Sequence, residues 1–111
     1  MERSSAETVR KEIAGIANRL LSGELGLHEG CRAIAHLRTR LPDADLYDPD
    51  VLVFVVVDSD LDDVPLGVAR QRWDPAALAT KDQRATEYLG QVREKILRAC
   101  QTLSLRWGAS A

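Results

Sequence analysis

The residues of this 111-residue chain that could do chemistry gather near its middle. Eight aspartates, Asp43, Asp45, Asp48, Asp50, Asp58, Asp60, Asp62 and Asp63, fall within 21 residues, and no Lys or Arg lies between positions 41 and 69. That stretch carries a net charge of −8. Residues 1–40 hold seven basic and five acidic side chains, net +2, and residues 70–111 hold eight and four, net +4. Carboxylates so close together repel one another, and arginines, water or a cation must offset the repulsion. One fitting chemistry is metal binding, because Asp58-x-Asp60-x-Asp62 copies the opening of an EF-hand loop, where alternate residues turn oxygens inward. The rest of that loop is missing. Its sixth position is Asp63 where Gly makes the sharp turn, and its twelfth is Ala69 where a bidentate Glu belongs, so no specific calcium site is expected. A second chemistry is recognition of a basic protein surface, since an acidic patch speeds encounter and enforces charge complementarity. The plainest reading makes the aspartates turn residues and helix caps, Asp48, Asp50 and Asp74 above all.

His28-x-x-Cys31 invites a zinc reading, but a structural zinc needs four ligands and only His36 and Cys100 remain, without a second closely spaced pair. A Cys31–His28 nucleophilic pair is equally unsupported, because adjacency in sequence does not build such dyads. The chain has no glycine-rich phosphate loop, no Gly-x-Ser-x-Gly elbow and no His-Glu-x-x-His. No catalytic residue, metal site or cofactor is therefore predicted. Cys31 and Cys100 sit on apolar helical faces and read as reduced core thiols. Trp73, one of five aromatics, precedes Asp74-Pro75 and reads as a hydrophobic staple at a helix entry. Arg70 and Arg72 flank that bend and are expected to pair with Asp60, Asp62 or Asp63.

The elements that would position these residues are mostly helical. Ser4 and Glu7 have capping-box spacing, and Val9, Ile13, Ile16 and Leu20 form one apolar stripe, giving a helix over about 5–22 that Gly23 closes. Leu27, Cys31, Ile34, Leu37 and Leu41 make a second stripe ended by Pro42, so the first two helices read as an antiparallel hairpin. Val51 to Val57 is ambiguous. Five valines and a phenylalanine tip the balance toward a strand, with Val64 to Val68 as its partner in a short β-hairpin. Asp48-Pro49 also reads as the cap and first position of a buried helix. Asp74-Pro75 repeats that cap signal, and Tyr88, Val92, Ile96, Cys100 and Leu103 trace a final stripe over about 81–105. The fold expected is a single mainly α domain, 1–111: an N-terminal helical hairpin, a central acidic segment with a short strand or helix, and a long C-terminal helix.

Composition sets the outer limits. Hydrophobic residues are 45% and charged residues 29%, an ordinary globular balance. A net charge of −2 speaks against nucleic acid or an anionic membrane as the main partner. The longest apolar run has seven residues where a spanning helix takes about 20, and the polar N-terminus lacks a secretory signal. A cytoplasmic protein is expected.

Taken together, Leu20-Leu21-Ser22-Gly23-Glu24, Glu29-Gly30-Cys31-Arg32, Asp58-Ser59-Asp60-x-Asp62, Pro65-Leu66-Gly67, Arg70, Trp73 and Lys81-Asp82 resemble a pattern of small bacterial proteins, some of them similar to immunity proteins encoded beside polymorphic toxins. The likeness spans about residues 15–102. Glutamate is more usual there at the place of Asp60, a change that keeps the charge. The resemblance implies a protein that binds a toxin domain and blocks its active site without chemistry of its own. The expectation is thus a non-enzymatic protein-binding domain whose basic partner is met by Asp43, Asp45, Asp58, Asp60, Asp62, Asp63, Arg70 and Trp73. The alternatives are a small metal-dependent enzyme using the carboxylates of Asp58 to Asp63, and a structural or regulatory subunit.

Overall fold

A computed structural model describes residues 2–108, with side chains described from residue 6 onward. The chain forms α1 (Glu2–Ser22), α2 (Leu27–Arg38), the single turn α3 (Asp43–Leu46), α4 (Pro49–Asp60), a 3-10 helix (Gly67–Arg72) and α5 (Pro75–Trp107). Among the described residues there is no strand.

The stripes read from the sequence become the core. Val9, Ile13 and Leu20 of α1, Cys31 and Ile34 of α2, and Ile96, Cys100 and Leu103 of α5 are buried, with Ile16, Leu27, Leu37, Tyr88 and Val92 packed at the margin. Each large apolar side chain withdrawn from water contributes roughly 1.5–3 kcal/mol. Helix α1 packs mainly along α5 and α2 along α4, while α4 also rests on α5. Gly23 closes α1 with φ +81°, where a side chain would be strained, and Gly26 opens α2. Ser4 lies inside the first turns of α1 rather than ahead of it; its side chain, and so the proposed cap, lies outside the described residues. Helix α2 stops at Arg38, and Leu41 reaches the core from the turn beyond.

The central valine run is the main departure. Residues 49–60 are helical and no β-hairpin forms with 64–68, which instead lead into the 3-10 helix. The Asp48 side chain accepts the Asp50 amide at 2.9 Å and Pro49 occupies the first turn, so the cap signal prevails over β-propensity. The reason is burial. A helix satisfies its own backbone between α2 and α5, whereas a two-stranded hairpin would bring unpaired edges into the same space. Val51, Phe54, Val57, Leu61 and Val64 all enter the core.

Helix α5 begins six residues before the expected start. From Pro75 to Arg84 none of its residues is buried, so this part has no apolar stripe and announces itself only by its cap, Asp74 Oδ2 accepting the Ala77 amide at 3.2 Å. At 33 residues it is about 50 Å long, which sets the 47 Å longest dimension of the molecule. No helix among the described residues is long and apolar enough to cross a membrane.

The α1–α2 crossing depends on Gly30. A Cβ there would fall well inside contact distance of Leu20 Cγ and both its δ carbons, and Leu20 is itself buried. Gly30→Ala is expected to lower unfolding free energy by about 1–3 kcal/mol through overpacking. Gly90→Ala, where an added Cβ meets nothing within 4 Å, should raise it by about 0.5–1 kcal/mol through helix propensity. Urea unfolding followed by circular dichroism measures both, and a Gly30→Ala variant as stable as the parent would show that the crossing is loosely packed.

Candidate functional site

Continuous in sequence, the acidic segment is divided in space. Helix α4 places Asp43, Asp45, Asp48 and Asp50 around one end and Asp58, Asp60, Asp62 and Asp63 around the other, and twelve residues at 1.5 Å each separate the ends by about 18 Å. The basic flanks of the chain supply cations at both. Arg10 of α1 reaches Asp45 at 2.6 Å, and Arg106 of α5 lies 2.6 Å from Asp48 and 3.6 Å from Asp50. At the far end Arg32 donates to Asp58 at 2.9 Å, Tyr88 donates to Asp60 at 2.5 Å, and Asp63 takes Arg84 at 2.6 Å and Lys81 at 3.3 Å. Of the eight, only the Asp43 and Asp62 side chains lack a hydrogen-bond or ion-pair partner among the described residues.

This geometry revises the predicted site. Asp45 is 9% exposed and bound to Arg10, and Asp58, partly exposed, is bound to Arg32, so both carboxylates are engaged within the fold. Asp43 lies at the opposite end from Asp62. Asp50 is not a cap; it donates its amide to Asp48, and its side chain faces Arg106. The EF-hand likeness dissolves because Asp58 and Asp60 are on a helix, two residues and hence about 200° apart. Among the described residues no group of three or more His, Cys, Asp or Glu side chains is placed to hold a metal ion.

What the structure does assemble is the segment 61–74 laid against the first turns of α5. Arg70 forms a two-pronged pair with Asp82, at 2.9 and 2.6 Å, and also donates to the Pro65 carbonyl at 3.2 Å. Of its expected partners, Asp60 is held by Tyr88 and Asp63 by Arg84 and Lys81, and Arg70 pairs instead with Asp82 on the exposed start of α5. Lys81 links the cluster: its ammonium sits 4.9 Å above the Trp73 ring and also meets Asp63. Trp73 is 41% exposed, and Val68, five residues before it on the same segment, is 79% exposed. Lys81, Asp82 and Arg84 were not among the predicted site residues, and Lys81-Asp82 appeared only within the resemblance. Lying on the exposed start of a helix, they carry no apolar signal to mark them.

The electrostatics follow the pairing. Hydrogen bonds from Arg84, helped by Lys81, hold the Asp63 carboxyl down to about 2 from its ordinary 3.8. Burial pushes both Cys31 and Cys100 up to about 12, and each thiol influences the core rather than a cleft. His28 is buried with Nε2 unpaired, and burial and the Arg32 charge lower its pKa below 6.5. His36 is exposed on the other end of α2, so the two histidines and two cysteines do not converge.

No family model, no curated protein and no solved structure matches the chain.

Two measurements check this site. Since folding lowers the Asp63 pKa, its contacts stabilise the 61–74 segment above the ordinary carboxylate value and are lost as pH falls from about 3.8 toward 2. A carboxyl carbon titration by NMR should find the Asp63 midpoint near 2, and Arg84→Ala should return it toward 3.8; an unmoved midpoint would exclude the contact in solution. The thiols are expected to resist a thiol-reactive dye at pH 8 in the folded protein and to react at both positions once unfolded in denaturant. Rapid labelling of the folded chain would mean that the core opens.

Proposed function

We propose that this chain is a non-catalytic protein-binding domain, an immunity-type inhibitor as the resemblance implies, that meets a basic partner with the end of the molecule built from Asp62, Asp63, Val68 and Trp73. The observation that carries this reading is the pinning of the 61–74 segment. Arg70 with Asp82, and Lys81 with Asp63, fix the segment on α5 while Trp73 and Val68 stay exposed. Interfaces draw most of their energy from a few such apolar anchors, and anchors held before contact lose less entropy on binding. Asp62, without an internal partner, supplies charge that attracts a basic surface. Reduced thiols in the core suit a cytoplasmic setting.

The test is affinity capture from expressing cells at low salt, read by mass spectrometry, with the purified partner then measured by surface plasmon resonance. A single basic protein is expected on the parent chain. Trp73→Ala combined with Val68→Ser should weaken it by about 30-fold or more, chiefly in dissociation rate. Asp62→Asn should slow association and flatten its salt dependence. Equal binding by the Trp73, Val68 variant would remove this surface from the proposal. Saturating, stoichiometric uptake of magnesium or manganese in a calorimeter would instead favour the metal-dependent enzyme.

A further inference from the structure

We propose that His28 is a proton-operated catch on the start of α2: uncharged, it keeps that turn buried against the rest of the fold, and on taking up a proton it releases the turn. His28 is 8% exposed, and its Nε2 has no hydrogen-bond partner among the described residues. The neutral ring tolerates this, because with its proton on Nδ1 it presents only a bare lone pair at Nε2. The charged ring carries an N–H on both nitrogens, and a buried charged donor without an acceptor costs more than an unpaired lone pair.

The surroundings add to that cost. Gly26 precedes α2 and supplies no side-chain cap, so His28 stands at the second helical position, where the positive end of the helix dipole disfavours a cation. Arg32, one turn on and on the same face, repels a second positive charge. Asp58 of α4 attracts it but is already bonded to Arg32 at 2.9 Å, and Glu29 is the other carboxylate that acts on the ring. Helices α1 and α5, which also pack on α2, add no group that moves its titration. Burial and Arg32 outweigh the two carboxylates, and the ring is held below 6.5. An uncapped first turn is the part of a helix that comes free most easily, so a proton that cannot be housed there opens this turn before the core. The inference concerns the response of the fold to acid and does not rest on the binding function proposed above.

The test is NMR on the full chain from about pH 7.5 to 5, a range in which ordinary carboxylates stay ionised and histidine titrates. The His28 ring should titrate with a midpoint below 6.5. Hydrogen exchange should show the turn opening at amides 30–32, the first of which donates to the Gly26 carbonyl at 2.9 Å. Because the released ring binds its proton first, protection there should fall by up to about tenfold for each pH unit below 6.5 and level off at the His28 midpoint. Protection over 96–103 of α5 should change by less than about twofold. His28→Gln should remove the pH dependence and His36→Gln should keep it. The match between the levelling point and the ring midpoint is read in the parent chain alone, so it holds whether or not the first variant folds. A His28 midpoint at or above 6.5, or protection unchanged across the range, would overturn the proposal. So would a loss that persists in His28→Gln, which assigns it to another group, or an equal loss in α5, which makes it unfolding of the whole.

Discussion

Helix α4 is the constraint around which the molecule is arranged. From Val51 to Val57 it has no polar residue, so wherever it lies it must be covered, and α2 and α5 do most of the covering. That demand fixes the relative placement of the two chain halves: α1 and α2 lie on the N-terminal side of the valine run in sequence and α5 on the other, yet all meet along it or along each other. Because the ends of α4 are where the apolar surface stops, they are also where the polar interactions begin.

Those polar interactions account for the charge pattern of the chain. Asp45, Asp48, Asp50, Asp58 and Asp63 each face an arginine or lysine from the basic flanks, and Asp60 faces Tyr88. The segment that looked like a patch waiting for a partner is thus largely consumed inside the fold. Exposed pairs of this sort contribute little stability one at a time, and because both ends of α4 are acidic and both are met by cations, charge alone does not choose which end of α5 lies at which end of α4. The same pairing leaves a small remainder: Asp43 at one end of α4 and Asp62 beside the Trp73 segment at the other.

The Trp73 segment shows how an exposed surface can be kept rigid without burial. Its 3-10 helix contains no buried residue, so packing alone would leave it loose. Arg70 ties it to Asp82 and to its own Pro65 carbonyl, and Lys81 serves Trp73 and Asp63 together. The two holding groups, Lys81 and Asp82, come from the part of α5 that extends beyond the core. Extending the helix past the hydrophobic interior is what gives the loop something to hold.

How much of this was legible in the sequence depends on the range of the interaction. The stripes of α1, α2 and α5, the left-handed Gly23, and the caps at Asp48 and Asp74 are local: each follows from residues within four positions of one another, where helix geometry alone places side chains. The burial of both cysteines followed from the same periodicity. Tertiary contacts decided the rest. Valine's β-preference in 51–57 gave way because α2 and α5 cover a helix there, and the start of α5 carries no stripe because it packs on no core. The acidic run was visible as composition, but its division between two ends of a helix and its pairing with arginines up to 58 residues away required the fold, since charge in sequence says which signs are near one another along the chain and only packing says which are near in space.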